Sequence, residues 1–342
     1  MIRKPAAKGR FSEDNGAPAT RLATLEVLRL LSVGASGAIL MALGDGSLRT
    51  KELTARVRGY TPRTIYRHTR KLVGAGLIER HEEPGVPSKV TLSLTRSSGQ
   101  ELHDLLEAYA EASLSRLPSG EIDAHAWGSL ALLADLWEWG MVDELNLQPR
   151  SLTELSRGHH GLSYHQVSRR INLLANGGFI QECPNSGPRR SYELTDKARR
   201  AMALIVGIGR WRRRHAVSKG ETGLDAPEAA TVLRTVLPLV VLPEHGGKGF
   251  GIDVAKEDVW ATVEPDGKIL CSASPPPQVD GHARGGAKRW VDTLLDGPSE
   301  KLRTEGDDQL IRTCLSRLHA TLWTRWPGLE APTPSAPVPQ ES

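Results

Sequence analysis

Apolar residues recur along this chain in two rhythms, one with a period near 3.6 and one with a period of 2, and each change of rhythm marks a new element. From Thr61 onward, Ile65, Thr69 and Leu72 fall on one side of a helix, with His68 at the edge of that side. Pro62, Arg63, Tyr66, Arg67 and Arg70 fan across the opposite side. Thr61 is expected to cap this helix with Pro62 at its first position, and Gly74-Ala75-Gly76 to end it. A helix over Ala38 to Leu43 and a short one around Leu53 precede it. An apolar strand at Leu77-Ile78, a Pro/Gly turn at Glu83-Pro84-Gly85-Val86-Pro87 and a return strand ending at Leu94-Thr95 follow. Three helices and then a hairpin is the order of a winged helix-turn-helix.

The pattern occurs twice. A displacement of 102 positions sets Glu52-Leu53 on Glu154-Leu155, Thr61 on Ser163, Ile65 on Val167, Arg67 on Arg169, Leu72 on Leu174 and Gly76-Leu77-Ile78 on Gly178-Phe179-Ile180. After a two-residue deletion, Leu94-Thr95 falls on Leu194-Thr195. The second copy is expected to open with a longer helix, about Trp127 to Trp139. Its third helix packs through Val167, Ile171 and Leu174 and turns Tyr164, His165, Ser168, Arg169 and Asn172 outward. Exposed arginine and asparagine on such a helix suit the major groove of duplex DNA, where arginine forks guanine and asparagine pairs with adenine. On the two hairpins, Lys89, Arg189 and Arg190 are placed to meet phosphates, and His81-Glu82-Glu83 weakens the first hairpin for that task. A solvated charged face is the plainer reading of either helix alone; the repetition favours DNA.

After each unit comes an apolar stripe at helical spacing: Leu102, Leu105, Leu106, Tyr109 and Ala112, then Ala201, Leu204, Ile205, Ile208 and Trp211. These read as stripes for packing or dimerisation. Arg210 to His215 forms a basic helix end that phosphates or the helix macrodipole would both explain.

Beyond residues 216–226, read as a linker, the pattern changes. A helix over about Pro227 to Leu239 precedes short β-prone runs around Pro265-Asp266-Gly267, and helices at about Gly286 to Leu295 and Asp307 to Trp323 follow. The fold class is therefore mostly α with α+β. The segments are a flexible basic arm at 1–24, winged units at 25–117 and 118–219, an α+β domain at 225–327 and a Pro-rich, disordered tail at 328–342.

Charge sharpens this division. The chain carries 44 Lys+Arg and 40 Asp+Glu. Residues 1–219 hold 32 of the basic and 22 of the acidic residues, a balance of +10, which leaves 12 and 18, or −6, for residues 220–342. A polyanion partner for the first two thirds and a separate task for the last third follow. No apolar run approaches the roughly 20 residues of a membrane span, and the first residues lack a secretion-signal core, so a cytoplasmic location with no membrane partner is expected. Cys183, Cys271 and Cys314 have no metal-ligand spacing, and no HExxH, GxSxG or clustered Asp/Glu/His set occurs. The Gly-rich run His245 to Gly251 lacks GxxxxGK[ST] and reads as a loop entering a strand. Neither a catalytic site, a metal nor a cofactor is expected.

The segments GAILMALGDGSLRTKEL, YTPRTIYRHTRKLVGAGLIER and PSKVTLSLT resemble HxlR-type (MarR-related) winged-helix transcriptional regulators, and residues 127–215 resemble a more divergent copy. The resemblance implies double-stranded DNA as partner. Members of that family are mostly single-domain homodimers, so a tandem copy implies a monomer acting as a pseudo-dimer, or a homodimer of such chains. The electrophile-sensing N-terminal cysteine of some members has no counterpart, since the first cysteine is Cys183. The stretch from Val259 to Leu318 loosely resembles sterol-carrier-protein-like domains through Gly285, Trp290, Leu294-Leu295-Asp296-Gly297 and Glu305-Gly306-Asp307 read as a turn. That likeness implies an apolar cavity and a small apolar or aromatic effector, with Trp260 and Trp290, or Trp137 and Trp139, as candidate walls. Winged helices serving as protein-interaction or dimerisation modules beside a lipid- or small-molecule-carrying domain form the alternative; an enzyme built on the C-terminal third is a third and weaker one.

Overall fold

The computed structural model describes residues 19–33, 35–83, 89–113, 127–138, 140–158, 162–183, 190–215, 224, 226–297 and 302–323. Among these residues no single helix is long and apolar enough to cross a membrane. Residues 1–18 of the expected arm, 216–223 and 225 of the expected linker and the whole expected tail at 328–342 lie outside the described residues. Helix α1 (Ala19–Ser32) begins inside the stretch expected to be an arm. Its apolar residues Leu25, Leu28 and Leu31 are buried, which is what orders it.

The first unit continues as α2 (Ser36–Leu43), β1 (Leu48–Arg49), α3 (Thr50–Arg56), α4 (Pro62–Gly74), β2 (Ile78–Glu83), β3 (Lys89–Leu94) and α5 (Ser98–Ser113). The second unit runs α6 (Gly128–Glu138), α7 (Met141–Leu147), β4 (Arg150–Ser151), α8 (Leu152–Gly158), α9 (Tyr164–Asn176), β5 (Ile180–Glu182), β6 (Ser191–Leu194) and α10 (Asp196–His215). The two sheets share one topology, β1-β3-β2 and β4-β6-β5, and one register, with Ile78 opposite Leu94 and Ile180 opposite Leu194. The helix expected over about Trp127 to Trp139 is α6, and what is corrected is its place in the repeat, where it was expected as the counterpart of α2. Gly140, at φ 64°, breaks the chain between α6 and α7, and α7 is the counterpart of α2. Only glycine enters that left-handed region without steric cost.

Local devices recur at equivalent positions. Glu52 Oε2 accepts the Arg49 backbone N–H at 2.6 Å, and Glu154 Oε2 accepts that of Ser151 at 2.8 Å. Gly76 and Gly178, at φ 70° and 72°, turn the chain out of α4 and α9. The amides that follow them, of Leu77 and Phe179, then close onto Leu72 and Leu174 carbonyls at 3.0 and 2.9 Å. Thr95 Oγ1 donates to the Gly76 carbonyl at 3.0 Å, and Thr195 Oγ1 to that of Gly178 at 2.6 Å. Each threonine pins the base of its hairpin to the end of the preceding helix.

Helices α1 and α6 lie against each other, as do α5 and α10, so equivalent elements of the two units meet. The stripe residues Leu102, Leu105, Leu106 and Tyr109 of α5, and Ala201, Leu204, Ile205 and Ile208 of α10, are all buried. Trp211 Nε1 donates to the Ser98 carbonyl across this junction at 2.8 Å.

The last third comprises α11 (Ala226–Val236), two 3-10 turns at Leu237–Leu239 and Pro243–His245, β7 (Gly249–Val254), β8 (Glu257–Val263), β9 (Ile269–Ser272), β10 (Gly281–Gly285), α12 (Ala287–Asp296), β11 (Arg303–Gly306) and α13 (Asp308–Trp323). The sheet order is β11-β10-β7-β8-β9, with only β10 and β7 parallel. Glu305-Gly306, expected in a turn, are the end of strand β11. Alternating residues Phe250, Ile252, Val254, Val259, Ala261 and Val263 are buried on one side of the sheet. Helix α11 fastens this domain to the second unit: Asn146 Nδ2 donates to Thr235 Oγ1 at 2.5 Å, and Arg199 Nη1 donates to the Thr235 carbonyl at 3.4 Å.

Candidate nucleic-acid interface

Helix α4 is held from beneath and open above. Ile65, His68, Thr69 and Leu72 are buried, whereas Pro62, Arg63, Tyr66, Arg67, Arg70 and Lys71 are exposed, Tyr66 by 60%. Arg63, Thr64, Tyr66, Arg67, Arg70 and Lys71 line one open groove. Among the described residues Arg63 and Arg70 have no ion-pair partner, so their guanidinium groups remain available. Thr61 caps the helix by accepting the Thr64 N–H at 3.2 Å.

His68 was expected at the rim and is instead part of the core. Its Nδ1 lies 2.9 Å from Ser36 Oγ, which ties α4 to α2. Burial, and then the neighbouring cations Lys71 and Arg67, hold its pKa below the ordinary imidazole value. A neutral ring therefore supports a cationic surface. The polar character of histidine in the sequence hid this role; its spacing three residues after Ile65 was the available signal.

Helix α9 presents a different surface. Ser163 caps it by accepting the Gln166 N–H at 3.3 Å, and the Gln166 side chain accepts the Ser163 N–H at 2.8 Å. Tyr164, His165, Arg169 and Asn172 are exposed and Ser168 is half-buried, as the periodicity predicts. Leu173, not singled out from the sequence, is 45% exposed on the same helix. Arg169 is the one fully exposed cation on α9, against four on α4.

The hairpins contribute unevenly. Lys89 is exposed at the start of β3, opposite Glu83. Arg190 is exposed but pairs with Glu182 at 3.1 Å, and Arg189 lies outside the described residues. In the basic end of α10, Arg213 bonds Asp292 at 2.8 Å and also Asp296, and Arg214 and His215 both engage Glu101. These charges are spent within the protein.

Of the four tryptophans considered as ligand walls, Trp290 is fully buried and donates from Nε1 to the Asp253 carbonyl at 2.6 Å. It is a core residue, fixed because a buried indole N–H needs an acceptor. Trp260 is half-buried on the side of the sheet away from Phe250 and Ile252; its ring lies 5.4 Å from that of His282. The side chain of Trp137 and the whole of Trp139 lie outside the described residues.

Residues 35–117 match the HxlR-like helix-turn-helix family. The matched segment contains α2 through α5, hence the whole cationic face of α4. An uncharacterized HTH-type transcriptional regulator of Methanothermobacter thermautotrophicus (strain Delta H) is 37% identical over 73 residues, covering 21% of this chain and 55% of that relative. The chain thus spans about half the length of the curated relative it matches. Among solved structures, diamide-treated YodB from B. subtilis is similar at 27% identity, covering 25% of this chain and 88% of its own, with a TM-score of 0.23. A protein assigned to the MarR family of transcriptional regulators from Porphyromonas gingivalis W83 is 19% identical, covering 32% and 94%, with a TM-score of 0.24. The first unit is an HxlR-like winged helix.

Proposed function

We propose that this chain is a DNA-binding transcriptional regulator carrying two winged helices, in which the second unit stands where a second subunit would stand in a dimer. The observation that carries this reading is the cationic row Arg63, Arg67, Arg70 and Lys71 on α4, locked in place by a buried opposite face. A fixed fork of N–H donors on a preformed helix loses little freedom on meeting base edges or phosphates. The packing of α1 on α6 and α5 on α10 supports the pseudo-dimer, because equivalent helices meet as they would across a two-fold interface. The C-terminal α+β domain, fastened through α11 to α7 and α10, is the part suited to sense a small effector and to alter the relative setting of α4 and α9. No catalytic role is assigned to any residue.

The test is a gel shift with fragmented genomic DNA. Selective retention of a subset of fragments, weakening as salt rises, supports the reading; retention of none overturns it. Exposed Leu173 and Tyr164 on the less cationic α9 favour a second reading for the second unit alone, as a surface for another protein. In that case removal of Arg169 would leave DNA affinity unchanged.

A further inference from the structure

The junction of α10, α12 and α13 holds an arginine that makes no ion pair among the described residues. Arg210 is 1% exposed, and its Nε, Nη1 and Nη2 all lack a hydrogen-bond partner among the described residues. Its guanidinium carbon lies 4.8 Å from the centroid of the Trp323 ring. Neighbouring carboxylates are committed elsewhere: Asp292 and Asp296 to Arg213, and Glu101 to Arg214 and His215. His319, one helical turn before Trp323 and with its ring 6.1 Å from the indole, has a buried Nε2 that is also unpartnered. That nitrogen faces Gly297, where a Cβ would stand 3.2 Å away.

Burial is costly for a guanidinium whose donors are all unmade, and one aromatic face returns only part of that cost. Chains retain such groups where a partner of opposite charge completes them. Here the donors form a planar fork over the Trp323 ring, which His319 flanks, with the nearby acids already engaged by other cations. A phosphate dianion would call for further cations, and Arg213 and Arg214 are pinned by carboxylates. A carboxylate needs only the fork, and the rings offer an apolar or aromatic body a surface to lie on.

We propose that Arg210, Trp323 and His319 form a binding site for a small organic carboxylate with an apolar or aromatic body. The carboxylate oxygens take the Arg210 N–H groups, and the body lies against Trp323 and His319. Because α10 also packs on α5, occupancy here bears directly on the junction between the two units. The site deepens the effector reading above and rests on it only for its regulatory meaning, since binding itself can be measured without DNA.

The experiment is thermal denaturation and isothermal titration of the full chain with sodium benzoate, phenylacetate and acetate, against chloride, sulfate and phosphate at equal ionic strength. The expected result is a saturable rise of Tm with benzoate or phenylacetate and none with sulfate or phosphate. Arg210→Met should fold with a Tm at or above that of the wild type and lose the response, since the apolar side chain no longer buries an unpaired charge. Arg210→Lys, which keeps the charge without the fork, should weaken benzoate binding by about tenfold or more. Absence of a saturable response to every carboxylate overturns the site, whatever the variants do. So does an equal response in Arg210→Met. DNA retention measured separately on the same wild-type protein tells failure of this site apart from failure of the DNA reading.

Discussion

A Cβ placed on Gly37 would stand 2.5 Å from Cε3 of Trp127, closer than any settled carbon contact. Gly37 lies in the first turn of α2, and Trp127 stands at the entrance of the second unit, so the two units interlock at a position only glycine fits. Gly207 of α10 repeats the arrangement on the other side of the junction, where a Cβ would meet Leu105 Cδ1 at 2.8 Å. Helix propensity alone would favour Gly37→Ala by about 1 kcal/mol. The indole is rigid and buried, so overpacking is expected to outweigh that gain and destabilise the chain by about 1–3 kcal/mol. Chemical denaturation of Gly37→Ala, with and without Trp127→Leu, checks this: the second change should restore much of the loss, and additive losses would mean that the ring is not the obstacle.

A pH dependence follows from the histidines. Burial is the leading cause that holds His68, His282 and His319 below the ordinary imidazole pKa. In the window between their folded pKa and about 6.5, the unfolded chain binds more protons than the folded one, so stability falls as pH falls. Stability from these groups is complete above about pH 6.5. Thermal melts at pH 7.5 and 5.5 should show a lower Tm at the acidic value, and His68→Gln should reduce the difference. A Tm that rises on acidification would contradict the buried, neutral state of these rings.

The thiols are predicted to be quiet. Burial pushes both Cys271 and Cys314 up to about 12, so neither carries appreciable thiolate at neutral pH. Thiol labelling of the native chain at pH 7.5 should leave Cys314 unmodified until denaturant is added. Rapid native labelling of Cys314 would show the α13 side of the domain to be open.

On the DNA side, Arg67→Ala and Arg169→Ala should each cost about 1–3 kcal/mol of specific binding, and Glu82→Ala little or nothing. Fluorescence anisotropy on a retained genomic fragment measures the three in parallel. An equal effect from all three would remove the assignment of α4 and α9 as reading helices.

Much of this architecture was legible in the chain itself, for reasons that differ by element. Thr61-Pro62, Ser163, Gly76 and Gly178 are local signals whose geometry needs no tertiary context, and α4 and α9 begin and end where those residues place them. Helix α1 was missed because nothing at Ala19 announces a cap; the helix is ordered by packing on α6. Helix α7 was missed because its seven residues after Gly140 carry no capping side chain and too few turns for a periodic signal. His68 and Arg210 are the instructive failures. Both are polar residues on helices with basic neighbours, and both are buried by segments distant in sequence: Ser36 on α2 for the one, and Trp323 on α13 for the other. Periodicity assigns a side of a helix, but it does not say what will later cover that side.

The central claim is that the cationic face of α4 meets a nucleic acid, and the salt dependence of DNA affinity tests it most directly. With a retained fragment, log K should fall linearly as log salt rises, with a slope near −0.9 for each phosphate neutralised. The combined change Arg63→Ala, Arg70→Ala, Lys71→Ala should flatten that slope by about two to three units. A slope indistinguishable from that of the unaltered chain, with affinity retained, would contradict the account.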